Sequence, residues 1–235
     1  MSITENVALV KENIARAARA AGRDPGEILL VAATKMNDAD RVREAIAAGV
    51  DICGENRVQE MLQKQREGAY EGAPLHFIGH LQKNKVRQVV GLADLIHSVD
   101  SLELLAAIDA EARKRGLRQD VLFEVNIGAE ASKSGLKPEE LPQALEAASN
   151  FGSVRVRGLM AIPPACLKPE ENRPFFLRMQ KLFIDNGGKK YDNVSMDFLS
   201  MGMSGDYTEA IACGANLIRV GSSIFGPRHY GAPAP

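Results

Sequence analysis

The chain has 235 residues, of which 45% are hydrophobic and 25% are charged, and its formal net charge is −1. Such values are typical of an ordinary globular protein, and this length allows one α/β barrel or two small domains. The balanced charge argues against a nucleic-acid-binding surface and a polybasic membrane anchor, and no segment has the roughly 20 apolar residues of a membrane helix.

The N-terminus and the cysteines predict the compartment. Residues 1–16 are polar and mixed in charge, unlike a secretory signal. The three cysteines, Cys53, Cys166 and Cys213, are far apart and contain no C-x-x-C pair. An odd number of scattered thiols fits a reducing environment, so we expect a cytoplasmic protein.

The first predicted element is an amphipathic helix. Ser2 to Glu5 has the pattern of a capping box, and the helix should end near Gly22. Apolar residues recur at helical spacing at Val7, Val10, Ile14 and Ala17. This helix precedes every predicted strand.

Eight short segments then have the character of strands. Residues 28–33 form a continuous apolar run, which is typical of a strand buried on both faces. The eight candidates are Ile28–Ala33, Asp51–Glu55, Leu75–Gly79, Leu95–Val99, Val121–Ile127, Val156–Ile162, Asn193–Leu199 and Leu217–Ile224.

Helical patterns alternate with these strands. Examples are the sets Val42, Ala45 and Ile46; Val58, Met61 and Leu62; Leu102, Leu105, Ile108 and Ala112; and Phe175, Phe176, Met179, Leu182 and Phe183. The last predicted helix starts from an N-cap at Ser204 and ends at Gly214.

Regular alternation of strands and helices predicts a parallel sheet, and eight units can close into a TIM barrel. The alternative is an open doubly wound sheet. If it bound a dinucleotide, it would need a glycine-rich first turn, and residues 34–38 contain no glycine. We therefore predict one (β/α)8 TIM-barrel domain over residues 1–235, with an extra N-terminal helix and a loosely ordered tail over 226–235.

Chemistry in such barrels takes place at the carboxyl ends of the strands. The residues at those ends are, in order, Lys35, Asn56, His80, Asp100, Asn126, Met160 to Pro163, Ser200 and Arg219. A lysine amine can form an imine with an aldehyde, although Lys35 could also be a surface residue. Arg219 lies between apolar neighbours and needs a partner, either an anionic or planar ligand or a carboxylate such as Asp197.

Two loops near the chain end predict a phosphate site. Small residues dominate 200–204 and 221–223, which follow strands seven and eight, where TIM barrels commonly bind phosphate. Together with Lys35 and Arg219, they form the set that pyridoxal 5′-phosphate (PLP) requires: an imine-forming amine, a partner for the ring nitrogen and a phosphate anchor.

Several segments resemble the PLP homeostasis proteins, the YggS/PROSC family, over nearly the whole chain. They are Val31–Lys35, Gly54–Glu60, His76–Lys85, Val125–Ile127, Lys133–Gly135, Arg157–Met160, Ser200–Ser204 and Arg219–Gly226. The order of these blocks makes the resemblance specific. Departures from the family pattern are small and lie at Met36, Pro227 and His229.

The resemblance implies a barrel similar to the N-terminal domain of alanine racemase. It also implies PLP held as a Schiff base on Lys35, with Asn56 near the ring and Arg219 at the pyridine nitrogen. The residues that match phosphate contacts are Ser200, Gly221 and Ser222. Members of this family are described as regulating the supply of PLP, with no established catalytic activity.

Chemical reasoning also favours a carrier over a catalyst. An arginine at the pyridine nitrogen keeps it unprotonated, which weakens the ring as an electron sink. We expect the barrel to account for the whole chain, so that no second domain closes the mouth, and we expect an exposed, exchangeable cofactor. The alternatives are a PLP-dependent racemase or lyase completed by a partner, and a barrel enzyme that binds a phosphorylated sugar or acid without PLP.

The expected partners are PLP and, as its recipients, PLP-dependent apoenzymes, with no nucleic acid, no membrane and a monomer favoured. His76 and His80 have the i, i+4 spacing of helical metal ligands, but strand geometry separates them by roughly 13 Å, so we expect no metal. His80 could approach the cofactor. Lys133 is the alternative functional lysine.

Overall fold

The computed structural model describes residues 1–130, 133–188 and 191–227, and its central feature is a closed barrel. Within the described ranges, eight strands pair in parallel in the order β1 to β8, and β8 closes against β1. The strands are β1 Leu29–Ala33, β2 Ile52–Glu55, β3 Leu75–Phe77, β4 Leu95–Val99, β5 Gln119–Glu124, β6 Val154–Met160, β7 Val194–Met203 and β8 Leu217–Val220. The predicted TIM barrel is confirmed.

The helices surround the barrel. They are α1 Ile3–Ala20, α2 Ala39–Ala47, α3 Val58–Arg66, α4 Val86–Val89, α5 Leu102–Lys114, α6 Leu141–Ala148, α7 Arg173–Gly187, α8 Tyr207–Ala212 and α9 Ser222–Phe225. Short 3-10 turns lie at Pro25–Glu27, Lys83–Lys85 and Pro169–Asn172. None of the helices in these ranges has both the length and the apolar character that a bilayer span requires.

The apolar residues form two layers. A large cluster lies between the barrel and its helices, and a smaller one fills the interior with residues such as Val31, Ile78, Leu122 and Met160. Alternate residues of a strand face opposite sides, so the interior receives every second side chain. Because the strands are parallel, their carboxyl ends all lie at one end of the barrel, which we call the mouth.

The N-terminal helix agrees with its prediction. The hydroxyl of Ser2 accepts from the Glu5 N–H at 3.1 Å, and the Glu5 carboxylate accepts from the Ser2 N–H at 2.8 Å, which completes the capping box. The Asn6 side chain donates to the Ile224 carbonyl at 2.8 Å. The extra helix α1 therefore packs next to α9, the segment that follows the last strand.

Several predicted boundaries are wrong. The seventh strand runs to Met203 and not to Leu199, so most of the predicted loop 200–204 belongs to the strand. The eighth strand ends at Val220 and not at Ile224, because Ser222–Phe225 form the short helix α9. Helix α8 begins at Tyr207, and Ser204 is not its N-cap, because the Ser204 hydroxyl accepts instead from backbone N–H groups after β8. The tail predicted over 226–235 lies outside the described residues from position 228 onward.

Candidate functional site at the carboxyl mouth of the barrel

Lys35 lies two residues beyond β1, on a tight turn. The Thr34 N–H donates to the Gly54 carbonyl at 2.9 Å, which extends the pairing of β1 with β2. Met36 then has a φ of +61° and donates its N–H to Glu60 Oε2 at 2.7 Å. The left-handed conformation costs a non-glycine residue about 1–2 kcal/mol. This turn places the half-buried Lys35 at the mouth.

Lys35 shares a cavity of about 320 Å³ with Gly221 and Ser222. The reason is the closure of the barrel: β1 pairs with β8, with Val31 opposite Arg219 and Ala32 opposite Val220. The segments that leave these two strands therefore emerge side by side. Three of the six predicted site residues thus meet at one cavity.

Arg41 also lines this cavity, and the sequence reasoning missed it. It lies on α2, whose N-cap is Asp38, and its Nε donates to Asn37 Oδ1 at 3.0 Å. A guanidinium is a suitable partner for a phosphate or carboxylate. The available signal was its position six residues after the strand-end Lys35, in the first turn of the helix that follows.

The loops after β7 and β8 are joined by hydrogen bonds. The Ser204 hydroxyl accepts from the Gly221 N–H at 3.0 Å and from the Ser223 N–H at 3.4 Å. The two loops that predicted a phosphate site are therefore in direct contact. This contact holds the backbone of Gly221 and Ser222 against the cavity that contains Lys35.

Arg219 and Ser200 lie deeper, inside the barrel. Arg219 is only 4% exposed and donates from Nη1 to Ser200 Oγ at 2.5 Å and from Nη2 to the Ala161 carbonyl at 3.0 Å. Burial lowers the pKa of Arg219 to about 10, so the guanidinium stays charged at neutral pH. The Ser200 hydroxyl is wholly buried and also contacts His97.

The ion pair between Arg219 and Asp197 that the sequence left open is not found. Asp197 accepts a hydrogen bond from Arg157 Nε and another from Ser195 Oγ, the latter at 2.6 Å. Asp120 bridges Arg155 and Arg157 in the same cluster, at the amino-terminal end of β5. Arg219 is thus bonded to neutral oxygens of the barrel interior.

Asn56 lines a second cavity of about 290 Å³, together with His80, Asn126 and Lys133. Its Oδ1 is buried and has no hydrogen-bond partner among the described residues. Lys133 forms an ion pair with Glu130 Oε1 at 2.7 Å and donates a hydrogen bond to the Pro163 carbonyl at 3.1 Å. The mouth therefore has two cavities, with Lys35 lining one and Asn56 the other.

Glu124 gives the second cavity a group that titrates near neutrality. Burial is the main cause that raises the pKa of Glu124 to about 7; the Asp100 carboxylate also raises it, and Arg219 lowers it. His80 lies nearby, with Nδ1 3.4 Å from Asp100 and 3.3 Å from the Ser134 hydroxyl. Glu124 lies within the predicted strand Val121–Ile127, and the sequence pattern did not indicate that its carboxyl would be a site residue.

The substitution Glu124→Gln should change how stability depends on pH. The folded state holds the Glu124 proton more tightly than the unfolded state, so ionisation destabilises the fold as pH rises from about 4.5 to about 7. We expect the free energy of unfolding of the variant, relative to wild type, to increase across this window. Urea titrations at several pH values measure it, and a constant difference between the two proteins would contradict the assignment.

Behind Lys35, on the outer side of the barrel, lies a buried polar cluster that the sequence did not indicate. Glu55 is fully buried, and its Oε1 accepts from Lys64 Nζ at 2.5 Å, Thr34 Oγ1 at 2.6 Å and Tyr70 OH at 3.2 Å. Lys64 also donates to the Thr34 carbonyl at 2.7 Å. The cluster thus fixes the peptide group that leads directly into Lys35.

Comparison with known proteins first defines the class. The family model described as "Alanine racemase, N-terminal domain" matches residues 6–229. A protein of Pseudomonas aeruginosa named pyridoxal phosphate homeostasis protein is 44% identical over 234 residues, which cover 99% of both chains. One of the same name from Aquifex aeolicus is 40% identical and covers 98% of this chain and 100% of its own. The chain belongs to the family of pyridoxal phosphate homeostasis proteins.

A solved structure has the same fold. The structure of PipY from Synechococcus elongatus, described as having PLP bound, superimposes with a TM-score of 0.82 at 33% identity. The match covers 96% of this chain and all of that one. The likeness of fold therefore extends over nearly the whole chain.

Proposed function

We propose that this protein binds PLP through a Schiff base on Lys35 and serves PLP homeostasis, holding and releasing the cofactor with little turnover of amino acids. The observation that carries the proposal is the cavity that Lys35 shares with Gly221 and Ser222. An amine and a loop of small residues line this one cavity, because β1 and β8 are neighbours.

The residues at the mouth fit the chemistry of this cofactor. When bound, PLP supplies an aldehyde carbon to which the Lys35 amine adds, forming a C=N bond and releasing water. The loop at Gly221 and Ser222, with Arg41 beside it, is suited to the anionic phosphate. Asn56 has an unsatisfied amide oxygen in the adjoining cavity and would face the ring side.

Arg219 and Ser200 would act at the pyridine nitrogen of the cofactor. Arg219 is a permanent donor, so a pyridine nitrogen within its reach would accept a hydrogen bond and stay unprotonated. Ser200 is a predicted phosphate contact, yet its hydroxyl is bonded to Arg219. We therefore propose that Ser200 contributes mainly by orienting the guanidinium.

The relatives support a role in homeostasis. The curated proteins at 44% and 40% identity are named for PLP homeostasis and not for a reaction. The PipY structure is described as having PLP bound. An unprotonated pyridine nitrogen is a poor electron sink, which is in keeping with a carrier.

Reduction of the purified protein with borohydride after incubation with PLP tests the attachment point. We expect one PLP-derived adduct per chain, on the peptide that contains Lys35, because this amine lies at the proposed cavity. Mass spectrometry of the intact chain and of its peptides measures both. An adduct confined to Lys133, or none at all, would contradict the proposal.

Exchange of α-deuterium from labelled amino acids separates a carrier from an enzyme. A carrier should release deuterium no faster than free PLP does at the same concentration. Rapid release that depends on Lys35 would instead identify a racemase or lyase. Absence of any PLP adduct, combined with binding of a phosphorylated sugar or acid, would select the enzyme that works without PLP.

A further inference from the structure

Four polar side chains form a hydrogen-bonded line across the barrel interior. His76 Nδ1 on β3 lies 2.9 Å from His97 Nε2 on β4, and His97 Nδ1 lies 3.0 Å from Ser200 Oγ on β7. Arg219 on β8 completes the line at 2.5 Å from the same hydroxyl. All four side chains are buried, with exposures of 6% or less. We call this line the interior relay.

The direction of donation in the interior relay is set at Arg219. A guanidinium only donates, so Ser200 Oγ must accept from it. The Ser200 hydrogen then needs an acceptor, and His97 Nδ1 is the nitrogen in reach. In the opposite arrangement His97 Nδ1 would carry a proton and donate to Ser200 Oγ, which already accepts from the Arg219 cation. The Ser200 hydrogen would then lose His97 Nδ1 as its acceptor. Hence His97 carries its proton on Nε2.

The same logic extends to the second histidine. The N–H at His97 Nε2 donates to His76 Nδ1, so His76 also carries its proton on Nε2. The Asp120 carboxylate acts on the His76 end of the interior relay, and Arg219 lies at the other end. Every dipole in the line is therefore aligned between a cation and an anion, which makes this direction the stable one.

Burial keeps both rings neutral. It is the main cause that lowers the pKa of His76 to about 4 and that of His97 well below its ordinary value; His76 and Arg219 lower the latter further. A neutral His97 remains an acceptor throughout the physiological range. The two histidines of the interior relay therefore do not add positive charge next to Arg219.

We propose that His97, supported by His76, is a positioning residue that holds Arg219 through Ser200; this proposal rests on the proposed PLP site. The Ser200 hydroxyl and the Ala161 carbonyl fix two of the five guanidinium N–H groups. With these two fixed, the guanidinium is held in one orientation, and the remaining N–H groups would be the donors for an acceptor such as a ring nitrogen. Two interior histidines that only fill space would not need a fixed tautomer.

Nitrogen-15 NMR of the histidine-labelled protein without PLP tests the direction of the interior relay. The chain has four histidines, so His97→Gln and His76→Gln variants assign the signals. We expect both rings to be neutral, with the proton on Nε2, at pH 7. In Ser200→Ala, the His97 tautomer should become mixed, because its donor is gone. A proton on Nδ1 of His97 in wild type, or a charged ring, would overturn the proposal.

Titration with PLP tests the positioning role. In His97→Leu the dissociation constant should rise about tenfold, the scale of one hydrogen bond to a charged group. His97→Gln can still accept from Ser200 and should recover much of the affinity. Ser200→Ala, which breaks the link to Arg219, should weaken binding and remains informative if His97→Leu does not fold. Wild-type affinity in His97→Leu or in Ser200→Ala would refute the role. Failure of wild type to bind PLP would refute the proposed function and leave the tautomer result standing.

Discussion

Lys35→Ala should abolish the retention of PLP while leaving the barrel folded. Wild type, incubated with PLP and desalted, is expected to keep about one cofactor per chain, and the variant less than about a tenth of that. Lys35 lies at the mouth beyond the end of β1, so its loss removes the proposed covalent bond without opening the core. The visible absorbance of the imine and the PLP released by alkali measure the effect, and circular dichroism checks the fold.

Two other lysines serve as comparisons for Lys35→Ala. Lys181 on α7 is 74% exposed in its side chain, so Lys181→Ala should retain PLP like wild type. Lys133→Ala addresses the competing amine, which lines the adjoining cavity. Retention lost in Lys133→Ala but kept in Lys35→Ala would show that the attachment point proposed here is mistaken.

The barrel could be predicted because its strands are buried on both sides. Leu29–Ala33 and Leu95–Val99 are short, mostly apolar and separated by helical patterns, and only a few topologies satisfy that alternation. The ends of strands were less certain. Ser204 has the composition of a helix cap, yet its partners lie in the loop after β8. Contacts between distant segments decided that boundary.

For the site, too, some features could be predicted from the sequence and others could not. That Lys35 would meet Gly221 and Ser222 follows from topology alone, since the first and last strands of a closed barrel are neighbours. The bonding of Ser200 to Arg219 and His97 depends on register across the interior, which no local pattern reveals. The alternation of strand β4 did place His97 on the same face as Leu95, so its inward direction was available as a signal.

The buried cluster behind Lys35 was hidden for a similar reason. Lys64 is on α3, where the apolar pattern of Val58 and Met61 predicts the packed face and a lysine is expected at the surface. Instead its side chain is 6% exposed and contacts Glu55. Burying an ion pair requires several hydrogen bonds to offset desolvation, and the Thr34 and Tyr70 hydroxyls supply them.

Removing one member of this pair should be far more damaging than removing both. Lys64→Met leaves the Glu55 carboxylate buried without its cation, and we expect a loss of about 3–5 kcal/mol in the free energy of unfolding. The double variant Glu55→Leu/Lys64→Met should recover most of that loss. Lys181→Met, from an exposed pair with Asp185, should cost less than about 1 kcal/mol.

The double variant also separates stability from the placement of Lys35. The Thr34 carbonyl accepts from Lys64 in wild type, and this bond stays broken when stability returns. Since Thr34 directly precedes Lys35, PLP affinity should remain about fivefold below wild type, the scale of one hydrogen bond. Urea unfolding and PLP titration on the same preparations measure the two effects. If affinity recovers together with stability, the cluster supports the fold alone and does not position the lysine.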